Sequence, residues 1–414
     1  MEKRAPILFL LLTAVLALSG LGIYCVANDP HEETAMEETT IVIASDPHYI
    51  APELTDHGEY FENMIRNADG KVTEYADELT DAFLARVIGL RPAALILSGD
   101  VTLNGARTSH EVLAQKLAAV TAAGIPVLVM PGNHDLNCKN AARFRGDGFE
   151  RVESVTAAEF AEIYAGCGFS GALARDASSL SYVYAIDPSL RVLMLDVNTE
   201  EEPRAVKDET LAWVEGQLAD AAGAGARVIA VSHQNVFRHN RVIYSGYVIR
   251  NADALLALYE RYGVLANFSG HLHCQHIACE NGFYDIATGS LSVSPNRFGV
   301  ITLSDRSLGY EAVPTDVSGW AAERGLTDPN LLDFAGYSRE FFLGAGRAQS
   351  PDWSEEQAEF FGRLNAAYFS GRMDSVDPDD PGFEVWSDEG FYGAYIDSIR
   401  DDIGRDFTRL RLEW

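Results

Sequence analysis

Positive charge is what this chain has least of. Lys and Arg number 32 against 61 Asp and Glu, a formal net charge of −29 over 414 residues. Without a surplus of cations nothing supplies the counterion-release energy of binding a phosphate backbone, which argues against a nucleic-acid duplex as partner. The same balance disfavours adsorption on anionic lipid. An anionic substrate then needs borrowed cations, and bound metal ions can be those cations. Internal repeats and low-complexity tracts are also missing. Hydrophobic residues make up 47% of the chain and its mean hydropathy is −0.05, values of an ordered globular protein with one large domain or two.

Cysteine is scarce, with five in all. Cys25 belongs to the N-terminal segment, leaving Cys138, Cys167, Cys274 and Cys279. An even count in an exported chain permits two disulfides in three connectivities. A structural bridge or a buried free thiol is favoured over thiolate ligation to metal.

Long apolar runs are rare too, the exception being Ile7 to Val26 behind the charged head Met1-Glu2-Lys3-Arg4. Secretory cores span about 7–15 apolar residues and membrane helices about 20. Residues 1–27 therefore read as a signal peptide or a membrane anchor. Cleavage after Ala27 and an uncleaved anchor both stay open. A lipoprotein at Cys25 fits less well, because bulky Tyr24 stands where a small residue is expected. Each reading implies export, to the extracellular face of the membrane or beyond. Residues 28–40 form an acidic tether, 41–319 the main domain, and 320–414 a C-terminal region.

In the main domain, apolar runs alternate with helical periodicity. Ile41–Ser45, Ala94–Leu97, Ile125–Val129, Arg227–Val231 and Val264–Phe268 read as strands. Tyr75–Leu90, Ser109–Ala123, Thr156–Gly166, Glu209–Ala222 and Ala252–Tyr262 read as helices. Ser181–Ile186 and Arg191–Val197 suggest a hairpin, and Phe283–Ser290, Gly299–Leu303 and Leu308–Val313 a β-rich closing segment. Residues 49–75 read as a long loop and a candidate substrate-recognition lid. The order predicts an α/β fold, an αββα sandwich of two mixed sheets flanked by helices. The last 95 residues hold 20 acids, nine Arg and no Lys, but too many aromatics for a disordered tail. They predict a small, mainly helical appendage.

Five polar clusters each follow a strand: Asp46-Pro47-His48, Gly99-Asp100, Gly132-Asn133-His134-Asp135, Ser232-His233 and Gly270-His271-Leu272-His273. Imidazole and carboxylate are the ligands of divalent transition metals, and two ions about 3.5–4 Å apart need a shared ligand. Asp100, alone after its strand, is the natural bridge. Asp46 and His48 alternate, which on an extended backbone sends both side chains the same way; His271 and His273 repeat that spacing. Gly132 is expected to let the backbone turn sharply. A pair of such ions activates water at neutral pH and clamps phosphoryl oxygens. His134 suits a general acid aimed at substrate, with Asp135 orienting its ring. His57, His110, His239 and His276 read as ordinary surface or loop residues, with His239 and His276 within reach of the pocket.

In this order the five blocks resemble the calcineurin-like metallophosphoesterase superfamily. The resemblance implies a dinuclear centre with Asp46, His48, Asp100 and His273 on one metal and Asp100, Asn133, His233 and His271 on the other. It also implies His134 as proton donor and phosphate contact. Val101-Thr102-Leu103 after Asp100 departs from the Ser/Thr protein phosphatases, and no Tyr stands where purple acid phosphatases place their iron ligand. The Gly-Asn-His-Asp block looks more like the bacterial cyclic-nucleotide phosphodiesterase branch. His233 is followed by Gln234-Asn235 where many members carry prolines, which alters the nearby substrate wall. The expected function is an exported phosphohydrolase with two divalent or mixed-valence ions of manganese, iron or zinc. It would act on a small phosphorylated substrate, a phosphodiester rather than a monoester. The alternatives are a metal-retaining extracellular binding module and a pseudo-enzyme.

Overall fold

The computed structural model describes residues 38–348, 352–386 and 390–414. The apolar N-terminal segment, Cys25 and the tether up to residue 37 lie outside the described residues. No helix among the described residues is long and apolar enough to cross a membrane.

The strands, in chain order, are β1 (Thr39–Ala44), β2 (Ala94–Leu97), β3 (Val127–Val129), β4 (Ala142–Arg145), β5 (Gly148–Arg151), β6 (Ala174–Arg175), β7 (Tyr182–Asp187) and β8 (Leu190–Leu195). They continue as β9 (Arg227–Ser232), β10 (Asn267–Ser269), β11 (His276–Glu280), β12 (Phe283–Ala287), β13 (Arg297–Leu303), β14 (Ser307–Pro314) and β15 (Arg409–Glu413). One sheet has the order β15-β14-β13-β1-β2-β3, the other β11-β12-β10-β9-β8-β7-β6, and β4-β5 is a separate hairpin. Strands β1, β2 and β3 are parallel, with Ala44 beside Leu97 and Leu97 beside Val129, so their carboxyl ends form one rim. In the second sheet β8, β9 and β10 are parallel as well.

The sheets pack face to face, and side-chain alternation assigns each residue to a layer. Val192 and Met194 of β8 join Ile41, Ile43, Ile229 and Phe268 in the main core. Leu193 and Leu195 face the opposite way, onto Val214, Leu218, Leu255 and Tyr259 of the helices Asp208–Gly223 and Ala252–Tyr262. On the first sheet the helices Ala76–Leu90 and Arg107–Ala122 bury Leu79, Phe83, Val87, Leu113 and Leu117. This is the expected αββα sandwich.

Several expectations change. Residues 49–75 are not one loop: the helix Glu59–Arg66 sits inside them, burying Phe61 and Ile65 one turn apart. The hairpin β4-β5 and strand β11 arise in stretches that carry no clear period. The C-terminal region is helical as expected, with Phe360, Phe361, Trp386 and Ile399 continuous with the main core. It ends in β15, however, which pairs antiparallel with β14 and so completes the first sheet. Of the two readings open for Cys138, Cys167, Cys274 and Cys279, a bridge or a free thiol, the structure has the free thiol at all four. The Cys138 thiol lies 3.1 Å from the His134 carbonyl.

Candidate metal centre

Each of the five clusters leaves the carboxyl end of its strand, where open α/β sheets present their ligand-binding crevices. The loops are zipped together by main chain: Asp46 N–H donates to the Gly99 carbonyl at 3.2 Å and His48 N–H to the Asp100 carbonyl at 3.1 Å. The common direction of Asp46 and His48 does not come from extended backbone, as the alternation suggested. Asp46, His48, Asp100, His271 and His273 all have positive φ, between 44° and 66°. Left-handed backbone at five non-glycine residues is strain of order 1 kcal/mol or more each, held in place by the surrounding packing. Gly132 has no positive φ. Its need is closeness, since a Cβ there would run into the carboxylate and backbone nitrogen of Asp100. Gly270 is tight in the same way, with Asp46 Oδ2 2.7 Å from where a Cβ would sit.

Two nests of donor atoms share Asp100. In the first, His48 Nε2 and His273 Nε2 face each other at 3.0 Å, with Asp46 Oδ1 3.8 and 3.4 Å away and Asp100 Oδ2 3.9 Å from His48. In the second, His233 Nε2 lies 3.3 Å from the same Asp100 Oδ2 and 3.2 Å from Asn133 Oδ1. Asp46, His48, Asp100 and His273 could hold one ion, and Asp100, His233 and His271 another. Asn133 completes the second group through its Oδ1. The seven side chains proposed as ligands thus come together.

The donors fit cations. Asp46 Oδ1, which faces the first nest, is buried with no hydrogen-bond partner, and an orphaned carboxylate oxygen is costly unless a charge compensates it. Two imidazole nitrogens 3.0 Å apart likewise suit a shared electrophile. Burial pulls His233 and His273 down, but Asp100 and Asp46 outweigh it and hold each imidazole up to about 9. Burial, with the His233 charge beside it, drops His271 to about 4.

Three of the nitrogens turned away from the nests are also engaged, those of His233, His271 and His273. His233 Nδ1 faces the Ser98 carbonyl at 3.0 Å, and His271 Nε2 faces the Gly246 carbonyl at 3.1 Å. His273 Nδ1 lies 3.3 Å from Asp69 Oδ2, which is itself 2.9 Å from Lys71 Nζ. Outer partners of this kind select the tautomer and raise ligand basicity.

Asp69 escaped sequence reasoning because Asn67-Ala68-Asp69-Gly70 reads as turn chemistry. So did an amide relay on the other side. Gln234 Nε2 donates to Asn133 Oδ1 at 3.3 Å, and Gln234 and Asn198 exchange hydrogen bonds of 2.9 and 3.0 Å. Next to it, Asn235 Nδ2 donates to Ser269 Oγ at 2.8 Å and to the Gly270 carbonyl at 3.3 Å. The dipeptide that departs from the proline-bearing pattern thus braces the loops of Asn133 and His271. Asp69→Asn is expected to weaken binding of one ion per chain by roughly 10- to 100-fold, the usual cost of losing a carboxylate behind a ligand histidine. Calorimetric titration of metal into metal-free protein reads this, and two unchanged affinities would remove Asp69 from the site.

His134 is placed by Asp100, whose Oδ1 accepts its backbone N–H at 2.7 Å, and by the Leu103 carbonyl, 3.1 Å from its Nδ1. Nε2 is therefore the nitrogen free to exchange a proton. Asp135 does not orient this ring. It is buried, and its carboxylate accepts from the backbone N–H groups of Val101, Thr102 and Gly132 at 2.8–3.0 Å and from Thr102 Oγ1 at 2.8 Å. Its work is to staple the Asp100 loop to the Asn133 loop, two chain segments that must keep register for the nests to form. Burial and the Asp100 charge push Asp135 up to about 7, against these donors.

Three further histidines are buried rather than superficial. His110 Nε2 lies 3.1 Å from the Asp135 carbonyl. His239 and His276 contact each other at 2.9 Å between Asp285 and Asp402, tying the second sheet to the C-terminal region. His57 is exposed, as expected.

Residues 39–275 match the calcineurin-like phosphoesterase family, and residues 316–406 match the C-terminal domain of cyclic nucleotide phosphodiesterase. The glycerophosphodiester phosphodiesterase GpdQ of Enterobacter lignolyticus (strain SCF1) is 29% identical over 186 residues, 44% of this chain and 56% of that protein. The alignment thus spans little more than half the length of this relative. Among solved structures, a dimetal phosphatase from Danio rerio is 15% identical, with 67% of this chain and 96% of the other covered at a TM-score of 0.48. GAP50, the anchor in the inner membrane complex of Plasmodium, is 14% identical, with 67% and 85% covered at a TM-score of 0.41. With the family matched over more than half its length, the chain belongs to the calcineurin-like phosphoesterases.

Proposed function

We propose that this protein is a metal-dependent phosphodiesterase with two divalent transition ions, manganese, iron or zinc, held by Asp46, His48, Asp100, Asn133, His233, His271 and His273. The observation that carries the reading is the reach of Asp100 Oδ2 into both nests, 3.9 Å from His48 Nε2 and 3.3 Å from His233 Nε2. Two ions held by these residues would supply a nucleophilic water at neutral pH and positive charge against phosphoryl oxygens. The chain supplies the rest. His134 delivers a proton to the leaving oxygen from Nε2 while the Leu103 carbonyl fixes its ring. The relative's glycerophosphodiesterase name and the match to a cyclic nucleotide phosphodiesterase domain support a diester over a monoester. The run Ile7–Val26 supports export, and an exported enzyme would meet intracellular cyclic nucleotides less readily than other diesters.

The test is a panel of a chromogenic diester, the matching monoester and cyclic nucleotides. It uses full-length protein stripped with chelator and reloaded with each metal. Diester turnover restored by metal and exceeding monoester turnover is expected. Monoester preference, or turnover indifferent to chelation, overturns the reading. Stoichiometric metal without any turnover would favour the binding module or pseudo-enzyme.

A further inference from the structure

Two cavities meet at Asn133, and they differ in chemistry. One is a cleft of ≈ 630 Å³ walled by Tyr60, Phe144 and Phe149, with His134 and Leu103 among its lining. The other is a groove of ≈ 680 Å³ without an aromatic side chain, where Ser178, Ser179, Asn198 and Lys207 alternate with small apolar residues such as Ala157 and Ala161. Asn133, Leu136, Asn137 and Lys139 belong to both, so the partition between them is one short loop. His134 lines only the first.

Phe149 is 44% exposed on the β4-β5 hairpin, its ring 5.2 Å from that of Tyr60 and 4.9 Å from the Arg151 guanidinium. An aromatic left that open, backed by a second ring and a cation, is a surface on which a flat apolar group can lie. Tyr60 comes from the helix inside residues 49–75, the stretch expected to recognise substrate.

Building on the proposed phosphodiesterase activity, we propose that the two cavities sort the two arms of an asymmetric diester. The leaving alcohol, with an aromatic or apolar body, lies in the cleft of Tyr60 and Phe149; the retained arm, a polyol or sugar, lies in the groove that offers Ser178, Ser179 and Asn198 as hydrogen-bond partners. The assignment follows from the proton. Water forms a new P–O bond, the P–O bond to the departing alcohol breaks, and that oxygen takes the proton from His134 Nε2. The products are an alcohol and a phosphomonoester. Because His134 lines the cleft and not the groove, the bond that breaks is the one on the cleft side.

The probe is the mixed diester of 2-phenylethanol and glycerol, two primary alcohols of similar leaving ability, so chemistry alone imposes little choice. Metal-loaded full-length protein is expected to release 2-phenylethanol and glycerol phosphate in roughly three- to tenfold excess over the opposite pair, the scale of one aromatic contact. Phe149→Ala is expected to bring the ratio towards one, mainly through a higher KM for the phenethyl diester. Wild-type release of glycerol in excess or of both alcohols equally overturns the proposal, as does an unchanged ratio in the variant. A chromogenic diester run in parallel separates the two ideas. If it is hydrolysed while the mixed diester shows no bias, only the sorting fails; if no diester is hydrolysed, the phosphodiesterase reading fails with it.

Discussion

Asp100→Asn is expected to lower diester turnover on the order of a thousandfold and to reduce bound metal together with it, the several kcal/mol that metal charge contributes to such a reaction. The side chain has two separate duties. Oδ2 reaches both nests, and Oδ1 accepts the His134 backbone N–H. An asparagine has one acceptor oxygen, so it can serve the N–H or the ions, and its amide hydrogens then point at whichever is left. Metal content by elemental analysis and turnover should fall in step while the thermal transition stays cooperative. Retained turnover with two ions per chain would refute the shared ligand.

Carboxylate charge also governs the metal-free protein, through Asp100 on His233 and through Asp46 and Asp69 on His273. His233 and His273 are held up to about 9 in the fold against 6.5 ordinarily. A folded-state value above the unfolded one contributes stability in full below pH 6.5, and that contribution is lost as pH rises through about 9. Metal ions need these imidazoles neutral, so their affinity should rise across that window while the metal-free protein loses stability, with protons released on binding.

How much of this could be read in advance depended on what kind of signal each residue leaves. The parallel strands left apolar runs, and ligand-type residues at their ends marked the rim, so Asp46, Asp100, Asn133, His233 and His271 stood out as one set. The backbone that presents them did not. Left-handed φ at Asp46 and His48 has no sequence signature in Asp-Pro-His, and period-2 reasoning gave their common direction for the wrong reason. Residues that act through another side chain were silent as well: Asp69 sits in a stretch rich in turn formers, and Gln234 was visible only as a departure from proline.

Asp135 was read by proximity to His134, whereas adjacent residues on a tight turn face different ways, and its partners proved to be three backbone N–H groups and the Thr102 hydroxyl. Strand β15 shows the opposite failure. Arg409-Leu410-Arg411-Leu412-Glu413 alternates as an edge strand should, with the leucines the less exposed, but the acidic, helical character of the region around it hid a five-residue pattern. Burial of His110, His239 and His276 is a tertiary fact, set by Asp135, Asp285 and Asp402 arriving from distant segments.

His134→Ala should separate chemistry from metal binding. The contact that anchors this residue to the centre is its backbone N–H on Asp100 Oδ1, which alanine keeps, so both ions should remain at wild-type stoichiometry. What is lost is the ring held by the Leu103 carbonyl and edge-on to His48 at a centroid distance of 5.1 Å. A general acid contributes roughly 10²- to 10⁴-fold where the leaving oxygen needs a proton, and little where it departs as a stable anion. Turnover of a dialkyl diester should therefore fall within that range, while a nitrophenyl diester should lose far less. The slope of rate against leaving-group basicity should steepen accordingly. Equal losses on both substrates would mean that His134 contacts phosphate without moving a proton. A drop in metal content would instead mean that the ring supports the nest around His48.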